Sequence, residues 1–209
     1  MKPVDLENWN RKTIYEYFKD FQDPFFNLTA NLDVTALYRF CKENKLSFAL
    51  ASLFYALQTT NEIREFRMRL DAGKLVEFER IHATLTIAQP DETFSLCYFE
   101  MQENVFDFNE AGRAAIEKYT NLKTFEVERG RVDLIYGSFI PWVSFTSFKH
   151  ASRLDQTFTI PRMVFGKMFE EAGVKKMPHS VEVNHAIADG YHVGQYFTIL
   201  QEKLSDFGF

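Results

Sequence analysis

The stretch VEVNHAIADGYHVGQYF, Val181 to Phe197, puts His185 at the end of a β-like run, Asp189 four residues on, and Gly190 at the start of a helical pattern. An imidazole with an ordinary pKa of about 6.5 is the side chain readiest to serve as a general base at neutral pH. At a strand end its backbone is held by the sheet while its ring can face a cleft. Gly190 permits a tight turn before the helix. A structural or surface histidine is the plain alternative, and spacing alone does not decide between the two. A metal site is a third reading. In one continuous helix His185, Asp189 and His192 would fall at i, i+4 and i+7, a set able to hold a metal. The preceding strand and Gly190 oppose that helix, so no metal is expected.

The elements around the corner mix helices and strands. NRKTIYEYF (Asn10 to Phe18) has Ile14, Tyr17 and Phe18 at helical spacing, and DVTALYRFCKEN opens on Asp33, a good N-cap. LSFALASLFYALQTT is apolar nearly all round and reads as a buried helix. FRMRL and LVEFE alternate about the turn DAGK and form a hairpin. ATLTIA, TFSLCYFEM and HSVEVN read as strands, and NEAGRAAIEKY as a helix. VDLIYGSFIPWVSFTSF is strand-like, broken at Gly137 and Pro141. The last helix carries Val193, Phe197, Leu200 and Leu204 on one stripe. The pattern predicts an α+β, two-layer sandwich, its sheet mostly antiparallel or mixed with helices on one face. A regular βαβ alternation and Gly-rich phosphate loops are absent.

The 209 residues suit a single domain spanning 1–209, with no linker or repeat to divide it. Hydrophobic residues at 46% and charged ones at 25% are those of a globular protein, and 23 phenylalanines imply a ring-rich core or pocket. A net charge of −5 argues against nucleic acid or an anionic membrane as partner. The N-terminus lacks a signal-peptide core, and Phe48 to Leu57 is too short an apolar run to span a bilayer. Cys41 and Cys97 make neither a disulfide framework nor a metal knuckle. A cytoplasmic location is expected.

NHAIADGYHVG resembles the His-x-x-x-Asp-Gly signature of the chloramphenicol acetyltransferases, a motif shared in similar form by dihydrolipoyl acyltransferases and peptide-synthetase condensation domains. PWVSFTSF (Pro141 to Phe148) and ENWNRK (Glu7 to Lys12) are similar to further segments of the first family. LDVTAL, EFRMRLDAGKLV and FGKM match it in order and rough spacing. The resemblance covers nearly the whole chain and is weakest from Val105 to Arg131. It implies a CoA-dependent acyltransferase fold assembled as a homotrimer, with acetyl-CoA as co-substrate and active sites at subunit interfaces. It further implies that His185 is the general base and Ser147 the donor that stabilises a tetrahedral oxyanion. Asp189 and Arg11 become a bidentate ion pair that holds the turn after His185. Phe26 and Phe18 fall in the pocket for a small-molecule alcohol, with DPFFN a loop there, and Lys167 near the CoA phosphates.

Three positions depart from the family pattern. Asn184 replaces the first histidine of a usual pair and should face away from the base. Val164 stands where a threonine often helps hold a water, and valine makes no hydrogen bond. Phe18 replaces a tyrosine of the acceptor pocket, a loss that can shift selectivity. The expected activity is acetyl transfer from acetyl-CoA to a chloramphenicol hydroxyl. The alternatives are an acyltransferase of the same fold with another acceptor, and a non-catalytic trimeric binding protein. Without the resemblance, Ser147 is one more strand hydroxyl facing away from Thr146, and Arg11 and Lys167 are solvated charges.

Overall fold

The computed structural model describes residues 1–120, 127–151 and 158–207. In chain order its elements are β1 (Lys2–Pro3), α1 (Lys12–Phe18), β2 (Phe25–Asp33), α2 (Thr35–Glu43), α3 (Phe48–Glu62), a 3-10 turn (Arg64–Arg67), β3 (Met68–Asp71), β4 (Lys74–Glu77), β5 (His82–Ala88), β6 (Phe94–Phe99), α4 (Val105–Thr120), β7 (Leu134–Ile140), β8 (Arg162–Gly166), β9 (Phe169–Glu171), β10 (Val174–Asn184) and α5 (Gly190–Ser205). The larger sheet runs β2-β10-β8-β7-β5-β6, with β9 also paired to β10. It is mixed: β5–β7 and β7–β8 are parallel, the other pairs antiparallel. A small antiparallel sheet, β1-β4-β3, lies apart from it.

Period-two alternation separates the two faces of the larger sheet. Val181 and Val183, Met163 and Phe165, Ile135, Ala83, Leu85, Cys97 and Phe99 share one hydrophobic core with α2, α3 and α5. The opposite face carries the residues between them: Ser180, Glu182 and Asn184, Arg162, Ser138, Thr84 and Thr86. Its charges are paired, since buried Arg162 meets buried Glu182 directly across the β8–β10 register, and its guanidinium lies over the Phe25 and Phe158 rings. The α3 helix starts where Ser47 accepts the Leu50 N–H, and packs against α2, α4 and α5. That explains its lack of a polar stripe. The DAGK hairpin turn forms as expected, with φ of 46° at Ala72 and 77° at Gly73, a pair of left-handed residues whose twist suits two-residue hairpins. EAGV repeats it between β9 and β10, at Ala172 and Gly173.

Several expectations fail. Gly137 does not break its strand: β7 runs through it, because the missing side chain lets Leu85 pack where a Cβ would sit 3.0 Å from Leu85 Cγ. The strand ends at Ile140, and Pro141–Phe148 is turn and irregular chain, so no alternation governs Ser147. In DPFFN only Asp23 and Pro24 are loop, since Phe25 to Asn27 begin β2 and pair with β10. Asp33 closes β2 instead of sitting at the N-cap of α2, though its carboxylate still accepts the Thr35 N–H at 2.9 Å. FRMRL contributes only from Met68, its first residues being 3-10 turn. Val105 to Thr120 is helix; residues 121–126 of the Val105 to Arg131 stretch lie outside the described residues.

Candidate active site

His185 stands one residue beyond β10, where the chain turns into α5. Its N–H donates to the Pro24 carbonyl at 2.7 Å, which extends the β2–β10 ladder by one bond. Asn184, buried, then builds the turn. Its carbonyl accepts from Ile187 and Ala188 N–H, both at 3.0 Å, and its side-chain oxygen accepts the Ala186 N–H at 2.9 Å. Its amide donates to the Phe158 carbonyl at 3.3 Å. Asn184 is thus a turn-former through its carbonyl, its side-chain oxygen and its amide nitrogen. Gly190 is not what makes the turn: its φ is not left-handed, and a Cβ there would meet nothing within 4 Å.

Two rings bracket the imidazole. Phe18, the last residue of α1, stacks on it at 4.2 Å between centroids and 8° between planes. Phe26 of β2 lies at 4.8 Å and 46°. Nδ1 of His185 is buried and has no hydrogen-bond partner among the described residues. Two other histidines are poor candidates for a base. Burial pushes fully enclosed His179 down to about 3. Burial, helped by Arg162, pushes His150 down to about 4.

Arg11 secures the turn, but its fork does not close on one carboxylate as the bidentate expectation has it. Nη1 donates to Asp189 Oδ2, while Nε donates to the Ile187 carbonyl at 3.0 Å. The guanidinium, 6% exposed, therefore grips the turn at two points, a backbone oxygen and a side chain. Although burial opposes ionisation, the Arg11 hydrogen bond and charge hold the Asp189 carboxyl down to about 2. The other carboxylate oxygen caps α5, accepting the Tyr191 N–H at 3.0 Å. A second apolar cluster, Val4, Trp9, Met68, Leu75 and Ile187, packs the small sheet under this turn. His185 lies outside α5, in the turn before it, so the one-helix face required by the metal reading does not form. Among the described residues no three His, Cys, Asp or Glu are grouped to hold a metal.

Among the described residues neither Ser147 nor Lys167 makes a hydrogen bond or ion pair with His185. Ser147 is exposed and is not hydrogen-bonded to His185 within the chain. Its segment is anchored at both sides: Phe145 packs on Gly166, the Lys167 N–H donates to the Val143 carbonyl at 2.9 Å, and the Ser144 hydroxyl donates to the Lys167 carbonyl at 2.8 Å. Lys149 pairs with Asp23 at 3.0 Å, next to the Pro24 whose carbonyl holds His185. Lys167 is exposed, with no ion pair among the described residues. Sequence reasoning missed Phe158 and Glu65, met His192 only as a metal-ligand candidate, and met Pro24 only as part of the DPFFN loop.

This two-layer sandwich is the fold of CoA-dependent acyltransferases. A dihydrolipoamide acetyltransferase of Azotobacter vinelandii shares it with a TM-score of 0.70 over 99% of this chain and 96% of that one, at 15% identity. The chain belongs to the chloramphenicol acetyltransferase family, whose model matches residues 1–201. The Clostridium perfringens chloramphenicol acetyltransferase is 32% identical over 207 residues, 98% of this chain and 94% of the relative. The Escherichia coli enzyme is 32% identical over 203 residues, 95% and 91% of the two chains. A solved chloramphenicol acetyltransferase structure superposes with a TM-score of 0.91 at 26% identity, covering 98% of this chain and 100% of that chain.

Proposed function

We propose that residues 1–209 form one acyltransferase domain that moves an acetyl group from acetyl-CoA to a hydroxyl of chloramphenicol. The observation that carries this reading is His185, fixed at the β10–α5 corner between two rings, with the turn behind it gripped by Arg11 and Asp189. Burial of Nδ1 leaves Nε2 as the ring nitrogen for a substrate to meet. The base takes the acceptor's hydroxyl proton as that oxygen bonds to the thioester carbonyl carbon. The tetrahedral intermediate collapses with cleavage of the C–S bond, and the departing CoA thiolate takes the proton back from the imidazolium. No acyl-enzyme forms. General-base help of this kind is worth roughly 10²–10⁴-fold.

Ser147 donates its hydroxyl to the oxyanion in this scheme, and Lys167, an unpaired exposed cation, suits the CoA phosphates. Ser147 is exposed and makes no hydrogen bond to His185 of its own chain, and in this reading its partner histidine is that of a neighbouring copy, in a homotrimer with shared sites. Exposed Trp142 and Val143 beside it, and Ile14, Tyr17 and Phe21 around α1, give such an assembly apolar surface to bury. Phe18 and Phe26 line the acceptor side. A cytoplasmic location fits, and among the described residues no helix is long and apolar enough to cross a membrane.

A second reading, the same chemistry on another alcohol, is favoured by the absence of hydroxyls at Phe18 and Val164. Purified protein with acetyl-CoA and chloramphenicol, followed by release of free CoA thiol, separates them. Turnover lost in His185→Ala supports the proposal. Turnover with other alcohols alone moves the assignment to the second reading, and no thiol release across an acceptor panel leaves a non-catalytic binding protein.

A further inference from the structure

The Asp189 carboxylate that receives Arg11 is held from its other side as well. His192, in the first turn of α5 and 8% exposed, places Nδ1 at 2.9 Å from Asp189 Oδ1. Its Nε2 faces Glu65 Oε2 at 3.6 Å, from the 3-10 turn that follows α3. The Asp189 backbone N–H also reaches Nδ1, at 3.2 Å. One ring nitrogen cannot both accept that N–H and donate to the carboxylate. The shorter contact to a charged acceptor selects a proton on Nδ1 donated to Oδ1; Glu65 faces Nε2 beyond hydrogen-bond distance and attracts it only when that nitrogen carries a proton as well.

From this we infer that His192, backed by Glu65, is a positioning residue for His185. With Oδ1 occupied by His192 and the Tyr191 N–H, the carboxylate has one orientation, in which Oδ2 meets Arg11. Arg11 in turn holds the Ile187 carbonyl, two residues past the imidazole. The chain of contacts runs from the end of α3 through Glu65, His192, Asp189 and Arg11 to the turn that aims His185. It connects the turn after the base to the segment that follows α3, by contacts separate from those with β2. Arg67 and Arg64, which flank Glu65 in its turn, are committed to Glu77, so they leave Glu65 free to face His192. His192 touches none of the reacting atoms; its effect passes through the geometry of the turn.

The inference rests on His185 being the base, and the test separates the two. Steady-state kinetics with acetyl-CoA and chloramphenicol are compared for His185→Ala, His192→Ala, His192→Asn and Glu65→Gln, with the unfolding midpoint recorded for each. His192→Ala should lower kcat roughly tenfold, within the ~10²-fold that small misplacements can cost, with KM for acetyl-CoA unchanged. His192→Asn, whose amide nitrogen falls near the Nδ1 position, should recover most of the loss, and Glu65→Gln should lie between. Full kcat in His192→Ala, while His185→Ala is dead, overturns the inference alone. So does equal damage in the Ala and Asn variants that tracks their unfolding midpoints. Turnover surviving in His185→Ala overturns the base assignment and this inference with it.

Discussion

Replacing Arg11 with methionine keeps an unbranched stem in the buried slot and removes the cation. The drop in the Asp189 carboxyl from the ordinary 3.8 to about 2 corresponds to about 2 kcal/mol of stability at neutral pH, at ~1.4 kcal/mol per tenfold. Breaking a fully buried pair costs about 3–5 kcal/mol, but the Asp189 side chain is 27% exposed and water can replace part of the lost partner. The Ile187 carbonyl loses its donor too. A net loss of about 2–3 kcal/mol follows, a fall of roughly 5–10 °C in Tm for a chain of this size. The sign of the pH dependence is fixed by the depressed carboxyl. Its contribution is complete above the unfolded-state pKa and vanishes as pH falls through the folded value. Thermal unfolding of both proteins at one protomer concentration should therefore show a constant gap from about pH 7 to 5 that narrows between about 4 and 2 to the smaller loss left by the Ile187 carbonyl. Thiol-release kinetics should show kcat down by as much as ~10²-fold from the loosened turn. An Arg11→Met protein with unchanged Tm and kcat, or a gap as large at pH 2 as at pH 7, would refute the reasoning.

Ser147→Ala should cut kcat by about 10²–10³-fold while KM for acetyl-CoA holds; equal loss of both makes the serine structural. Phe18→Ala removes the ring stacked on His185 and should lower kcat about 3- to 10-fold, whereas Phe18→Tyr keeps the stack and should change chiefly the KM for the acceptor. Cys41 and Cys97 are buried, and burial raises their thiols to about 11 and 12. Native protein should accordingly show no reaction with an aromatic disulfide reagent, and both thiols should titrate after unfolding in guanidinium. Rapid native labelling contradicts that burial.

The sequence made the fold legible where local rules govern. Alternation marked β5, β6 and the β3–β4 hairpin, helical spacing marked α1 and α5, and a stretch apolar nearly all round marked α3. It misled where the cause lies in another segment. Gly137 looks like a breaker until Leu85 is seen filling its place. The resemblance placed Asp23 to Asn27 in a loop, but Phe25 to Asn27 are strand, with their pairing supplied by β10, about 150 residues on. The role of Arg11 came only from resemblance, since its partners, Ile187 and Asp189, are 176 and 178 residues away. Asn184 illustrates the opposite limit. The resemblance treats it as a departure, but its contacts to Ala186 and Phe158 make it the residue that shapes the corner.

His185 and Ser147, the proposed base and oxyanion donor, are held by different means, and that difference has a testable consequence. His185 is enclosed by α1, β2 and the turn within its own chain, so it is set before any assembly. Ser147 sits on an exposed segment, docked through Val143, Ser144, Phe145 and Lys149. If its hydroxyl works against the histidine of a neighbour, two inactive variants can repair each other. Co-expressing a His185→Ala chain with a Ser147→Ala chain in equal amounts would give mixed trimers. In these, some sites draw the intact histidine from one variant and the intact serine from the other. Random mixing makes about a quarter of the sites whole, so turnover should return to about a quarter of the unmutated level. A site built within one chain would carry one lesion everywhere, and mixing would give no more than the average of the two crippled proteins. That result would place the oxyanion donor beside its own histidine and remove the reason for a shared site.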